Sequence, residues 1–403
     1  RFSTEFTATL SAEERAAGLA LVWATVRQSF VGFAHVPELD WNEAFMDAMA
    51  NVVVDPSTEA YYRTLDRLVA RLGDGHSGVW PPDELRPQFD SRPPFETDDV
   101  AGRTVVTRLQ DRDVPLRVGD ELLRIDGLPT DEYLATRVSP YVDASTPQDL
   151  TARLHGPRGR LLAGPPGPVP LVVQRGARTI ELTVTRVDPI PLERAPDVRW
   201  STTRGVGVLA IESFEDPTVV DQVSAIWAEL VEQDALIVDL RRNGGGDGGL
   251  GWEILTWLTD RDLPTSCWST RLSYGADRAW GYGVTMTKPR CGTWKDDGER
   301  AYSGPVAVLI GPSTYSAAED FVVAFRGLDR GLLIGTQTGG STGQPVWHPL
   351  PGGGGFRVCA KHDTMPDGTE FVGLGIAPDI VVPPSPTGRD RALERALAAL
   401  RVR

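Results

Sequence analysis

Between residues 10 and 72, apolar side chains recur at the three-and-four spacing of helices that pack on one side. Leu19, Val22, Val26 and Phe30 form one stripe, and Ser11 with Glu14 ahead of it has the spacing of a capping box. Asp40 with Glu43 marks a second helix through Met49. Asp55-Pro56 opens a third, whose apolar face is Tyr61, Leu65, Leu68 and Leu72. Gly73 ends it, which places Asp74-Gly75-His76-Ser77-Gly78 in a tight loop after a packed helix. From about 93 to 192 the pattern changes to short β-branched runs separated by Gly and Pro. Residues 118–127 read as turn, strand and turn, and 169–174 with 179–185 as a hairpin turning at Arg175-Gly176.

From 204 onward strands and helices alternate, the pattern of an α/β core. Strands are expected at 206–211, 235–240, 306–310 and 332–335, with helices at 219–232, 250–258 and from Ser316. A last helix is expected over 387–401. The glycine-rich run 243–249 lies between the second strand and the second helix. This organisation predicts three parts: a helical region, 1–92, carrying the His76 loop; a β-rich domain, 93–195; and an α/β core, 196–403.

Length and charge narrow the function. With 403 residues the chain exceeds one ordinary core. Its net charge of −14 opposes nucleic acid and anionic membranes as partners. No apolar run approaches the ~20 residues of a membrane span. Five scattered histidines and three cysteines show no metal-binding spacing, and the serine chemistry read below implies neither a metal nor an organic cofactor. Cys267 and Cys291 either pair, in an exported protein, or remain thiols. The chain opens at Arg1 rather than Met. Removal of an export signal, giving a periplasmic or secreted protein, is one expectation this raises.

Four segments carry chemistry. Ser316 opens a helix behind a buried strand, where unpaired amides and the helix dipole can stabilise an oxyanion. Ser316-Ala317-Ala318-Glu319 equally fits a capping box. Asp239-Leu240-Arg241-Arg242-Asn243-Gly244-Gly245-Gly246 lets a substrate backbone approach closely, or is a flexible turn; it lacks the lysine and spacing of a phosphate loop. His76, between small residues in an open loop, can present an imidazole to a cleft. Asp367 and Glu370 supply carboxylates near a turn, or are turn chemistry and solvated charge.

Leu72-Gly73-Asp74-Gly75-His76-Ser77-Gly78, the 239–246 loop, Ser316-Ala317-Ala318-Glu319 and Gly373-Leu374-Gly375-Ile376-Ala377-Pro378-Asp379 occur in the family order of the tail-specific (C-terminal processing) serine peptidases. The chain resembles their tricorn-core-like branch. Gly119-Asp120-Glu121-Leu122 resembles the entry to a PDZ-like module. The resemblance implies a crotonase/Clp-protease-like α/β core and a serine endopeptidase acting on peptide or unfolded protein. Ser316 is then the nucleophile, His76 the base and Glu370 its orienting carboxylate, with Asp367 the second choice. Ala317 and either Gly244 or Gly245 would donate to the oxyanion. Where one branch carries lysine in T-x-G-K-G, this chain has Ser341, which favours the histidine base. Some tricorn-like members place a serine before the histidine; here it is Gly75. A hydrolase or acyltransferase on a non-peptide acyl group, and a non-catalytic binder on the same scaffold, are the alternatives.

Overall fold

The structure is a computed structural model and describes residues 2–156, 159–187, 196–295, 301–384 and 389–400. Parts of the expected last helix and of the linker before the core lie outside these residues. The chain forms two compact units. The first comprises Arg1–Glu193 and Pro345–Ala360, the second Arg194–Gln344 and Lys361–Arg403.

In the first unit, three helices bury the expected stripes. Helix Ala12–Ser29 carries the capping box, with Glu14 N donating to Ser11 Oγ and Ser11 N to Glu14 Oε2. Asp40 caps Trp41–Val52, its carboxylate accepting from Asn42 N and Glu43 N. The third helix, Thr58–Ala70, begins after Ser57, whose hydroxyl accepts from Ala60 N. Gly73 turns the chain at φ +57, left-handed space where a side chain is strained. The strand after the His76 loop, Gly78–Trp80, pairs antiparallel with Gly355–Cys359, which in turn pairs with Pro345–Pro349. Residues 345–360, read in the core by sequence position, therefore pack with the first unit, where Phe356 and Val358 join the helical cluster. The β-rich segment keeps its own core of Val106, Ile125, Val173 and their neighbours. Its antiparallel strands run in the spatial order Phe95–Asp99, Thr104–Leu109, Glu121–Ile125, Gly167–Arg175, Arg178–Arg186.

The second unit is built on a six-stranded sheet ordered Ile380–Val381, Gly331–Gly335, Val306–Ile310, Ala235–Asp239, Val206–Ile211, Val198–Thr203. All neighbours are parallel except the last pair. Val306–Ile310 is buried along its whole length, as an unbroken apolar strand covered on both faces must be. Helices Gly248–Thr256 and Ala317–Gly327 supply Ile254, Phe321 and Phe325 to one cluster; Ala396 and Leu400 of Arg391–Leu400 enter the other. The helix read over 219–232 is broken at Ile226 into Thr218–Ala225 and Trp227–Leu230. The mixed α/β class read from the sequence is the observed one. Parallel strands expose their C-terminal ends on one edge, the edge where open α/β sheets place ligands. The loops after Ala235–Asp239, Val306–Ile310 and Gly331–Gly335 all leave from it.

Candidate active site

Ser316 stands at the N-terminus of helix Ala317–Gly327 with φ 56 and ψ −125. A capping serine needs extended backbone, and this one makes no capping bond with its side chain. The capping-box reading is thereby corrected, and Glu319 is its second half. Glu319 is fully buried and turns to the loop after Gly331–Gly335. Its Oε1 accepts from Thr338 Oγ1 at 2.5 Å and Gly340 N at 2.9 Å, and its Oε2 from Ser341 N at 2.8 Å. Ser341 O then accepts from Ser316 N at 3.0 Å. Thr338 Oγ1 also takes Ile376 N, and Gly340 O takes Gly373 N, so the Gly-x-Gly-Ile run anchors the same loop.

The glycine loop is stitched to the serine turn. Thr314 Oγ1 donates to Leu240 O at 2.8 Å, and Tyr315 N donates to Asn243 O at 3.0 Å. A Cβ on Gly245 would lie 2.6 Å from Ser316 Cβ, 2.8 Å from Tyr315 O and 3.0 Å from Ala317 N. Glycine is required there both by that approach and by φ +100. The geometry separates the two glycine amides. Gly245 N donates to Asn243 Oδ1 at 2.9 Å, so it is engaged inside the loop. At Gly244 an added Cβ would meet nothing within 4 Å, so the backbone there borders open space.

One turn beyond Ser316 lies Asp320, whose Oδ1 accepts from Ser266 Oγ at 2.7 Å. Burial first, and then Asp363, push its carboxyl up to about 6, with Lys361 and Ser266 opposing. Lys361 Nζ pairs with Asp363 Oδ1 at 3.1 Å, and Thr342 Oγ1 donates to Asp363 Oδ2 at 2.7 Å. Cys267 and Cys291 form a disulfide, resolving the alternative left open by the sequence; Cys359 is a buried thiol.

Glu370 has a partner that its sequence position did not suggest. His362 Nε2 meets its Oε2 at 2.8 Å, because strand His362–Thr364 pairs with Cys267–Ser269 and Thr364 bridges to Glu370. Asp367 Oδ1 accepts from Thr369 N at 2.9 Å ahead of Gly368 at φ +86, and that backbone bond holds its carboxyl below the usual range. It is a turn former.

His76 belongs to the first unit and is buried, 4% exposed, rather than open. Its loop is held at both ends. Ser77 Oγ donates to Asp74 Oδ2 and accepts from Cys359 N, while Asp74 Oδ1 accepts from His76 N at 3.4 Å. Burial raises the Asp74 carboxyl, and Ser77 and His76 oppose the shift. The Gly75 peptide group on the other side is gripped by the β-rich segment. Gly75 N donates to Ser145 Oγ at 2.9 Å, and Arg153 donates to Gly75 O at 3.4 Å. Asp149 orders both grips, accepting from Ser145 N at 2.9 Å and from Arg153 Nε at 2.7 Å. The β-rich segment thus also holds the loop that carries His76.

Among the described residues, no cluster of three or more His, Cys, Asp or Glu is arranged for a metal, and no helix is long and apolar enough to cross a membrane.

Residues 205–382 match the family model described as Peptidase family S41. The chain is similar to the chloroplastic C-terminal processing peptidase of Tetradesmus obliquus, 24% identical over 281 residues, 66% of this chain and 53% of the relative. It is likewise similar to the carboxy-terminal-processing protease of Bartonella bacilliformis, 25% identical over 271 residues, 66% of this chain and 54% of the relative. The chain spans about half the length of the curated relatives it matches. The crystal structure of mature CPAF shares its fold at a TM-score of 0.74 and 19% identity, covering 97% of this chain and 96% of that one. The photosystem II D1 C-terminal processing protease gives 0.53 at 19% identity, covering 94% and 98%. The matched segment contains the glycine loop, Ser316, its clamped partner loop and the Gly-x-Gly-Ile run, so the similarity to peptidase family S41 and to the C-terminal processing peptidases falls on the residues that build this site.

Proposed function

We propose that the protein is a serine endopeptidase that cleaves peptide chains through an acyl-enzyme on Ser316. The observation that carries this reading is the backbone of Ser316, a non-glycine residue at φ 56 beside the glycine loop. Left-handed backbone at a non-glycine residue costs about 1–3 kcal/mol and persists where function needs it. In this reading His76 takes the proton from the Ser316 hydroxyl as the oxygen attacks the peptide carbonyl. The Ala317 and Gly244 amides hold the oxyanion, and His76 returns the proton to the leaving amine. Water then repeats the sequence on the acyl-enzyme. Glu370 is the proposed orienting carboxylate; His362 engages its Oε2, so the assignment rests on Oε1. Substrate is peptide or unfolded protein, because the family's chemistry is peptide hydrolysis and the glycine loop can accept an extended backbone.

The test is Ser316→Ala against parent enzyme on a fluorogenic peptide panel, with fluorophosphonate labelling alongside. Turnover and labelling should vanish with the thermal midpoint close to the parent's. Parent-like turnover would remove Ser316 from the mechanism.

A further inference from the structure

We infer that Asn243 is a positioning residue that sets both donors of the oxyanion hole. The inference rests on the reading of Ser316, Ala317 and Gly244 given above. Asn243 is fully buried, and each of its polar groups but one is committed. Its N–H donates to Leu240 O at 3.0 Å, closing the turn after strand Ala235–Asp239. Its carbonyl accepts from Tyr315 N at 3.0 Å, one residue before the nucleophile. Its side-chain Oδ1 accepts from Gly245 N at 2.9 Å. The remaining group, Nδ2, is buried without a hydrogen-bond partner among the described residues.

That orphan donor is informative. A buried donor left unsatisfied costs about 1–3 kcal/mol, and the amide cannot be reversed to relieve it. Reversal would set Nδ2 against the Gly245 N–H, two donors face to face. The side chain is therefore held in an unfavourable state by what its oxygen does. By drawing the Gly245 N–H inward, Oδ1 fixes the rotation of the loop and leaves Gly244 N–H as the amide available to a ligand. Through its carbonyl, the same residue fixes Tyr315, and with it the turn that presents Ser316 and the Ala317 N–H. Gly244 N and Ala317 N come from loops following different strands, and Asn243 bonds to both loops. Preorganised donors contribute only when their spacing is set before the charge develops.

The experiment compares Asn243→Ala with Asn243→Ser. Serine can accept from the amide two residues on, as asparagine does, whereas alanine cannot. Readouts are kcat and KM on a peptide substrate, the inhibition constant of a peptide aldehyde, the affinity of a product peptide, and the thermal midpoint. We expect kcat of the alanine variant to fall roughly 10²-fold, as for loss of an oxyanion donor, with KM close to the parent's. Aldehyde affinity should fall in parallel and product affinity should stay unchanged. The serine variant should recover at least about tenfold of the lost kcat, as restoring the acceptor restores the hole. Parent-like kcat in Asn243→Ala would overturn the inference. So would equal losses in both variants, or a loss expressed in KM and product affinity. If Asn243→Ala does not fold, Asn243→Ser alone decides: aldehyde affinity must drop while product affinity holds. Parent-like turnover of Ser316→Ala sinks the nucleophile reading itself, whereas an inactive Ser316→Ala beside an unaffected Asn243→Ala sinks only this inference.

Discussion

Replacing Glu319 with Gln isolates the clamp behind the nucleophile, since the two side chains have the same shape. The carboxylate accepts from Thr338 and Gly340 on Oε1 and from Ser341 on Oε2. A glutamine has one oxygen and an NH2 group, so one end must meet an amide donor with another donor. Placing NH2 at the Oε1 position opposes the Gly340 N–H and the Thr338 hydroxyl; placing it at Oε2 opposes the Ser341 N–H. The second arrangement wins. It loses one bond, leaves a buried N–H unsatisfied at about 1–3 kcal/mol, and weakens two bonds that were assisted by charge. Removing a buried charge offsets part of this, so a net loss of about 3 kcal/mol is expected. Urea unfolding of parent and variant measures it. Activity should suffer beyond stability, because the stranded residue is Ser341, whose carbonyl holds the Ser316 amide at 3.0 Å. We expect kcat to fall at least about tenfold under conditions where the variant is fully folded, a positioning loss well within what small displacements of a nucleophile cause. An unfolding free energy within about 0.5 kcal/mol of the parent, together with parent-like kcat, would refute the clamp.

Gly245→Ala should abolish turnover, since the new Cβ would lie 2.6 Å from Ser316 Cβ; a fluorophosphonate labelling rate equal to the parent's would count against the close approach. Asp320→Asn tests the cluster formed with Asp363, Lys361 and Ser266. The folded carboxyl is raised to about 6, so it holds its proton more tightly folded than unfolded, and it destabilises the fold above about pH 6. The asparagine variant should therefore be more stable than parent above that pH, with the difference fading below about pH 4; a difference that does not change between these limits in thermal melts would contradict it. Arg153→Met keeps the stem but strips the buried Asp149 of its cation and Gly75 O of a donor. It should cost about 2–3 kcal/mol in urea and lower kcat; loss of stability with kcat unchanged would separate the grip from the His76 loop.

The sheet and the start of a helix after Ser316 were legible because their signals are local. Val306–Ile310 is an unbroken apolar run, whereas the three glycines after Asp239 fit a flexible turn as well as a close approach, and only the packing of Gly245 on Ser316 separates the two. What stayed hidden was long-range. Ser316-Ala317-Ala318-Glu319 has the spacing of a cap, and only φ 56 at Ser316, which no local pattern encodes, turns Glu319 toward residues about twenty positions away. The transfer of 345–360 to the first unit depends on Gly78–Trp80 pairing with Gly355–Cys359, strands separated by most of the chain. His362 was unremarked because its contact with Glu370 arises from the register of His362–Thr364 on Cys267–Ser269. The break at Ile226 was missed because the apolar spacing runs on through it. Asn243 lies in the glycine-rich run left open between close approach and flexible turn, and an asparagine two residues before a glycine amide carries the Asx-turn signal for the bond its side chain accepts from Gly245 N.

The choice of histidine over lysine as base gains a physical argument from the second unit. Ser341, where a lysine-using relative would carry its base, has both backbone groups consumed, N–H by Glu319 and carbonyl by Ser316, and its side chain is fully buried. A loop clamped on both sides of a residue is built to fix Ser316, and it leaves little room for a long side chain at that position. A base must also reach its neutral form to accept a proton, and a carboxylate beside an ammonium favours the charged form instead. Lys361 pairs with Asp363 and faces Asp320, and Lys295 pairs with Asp262. Lys361, with its side chain mostly buried, is thus committed to the ion pair with Asp363. An imidazole needs no such unfavourable neutralisation near neutral pH. The clamp at Ser341 and the Lys361–Asp363 pair therefore support the proposal that the proton is taken by His76.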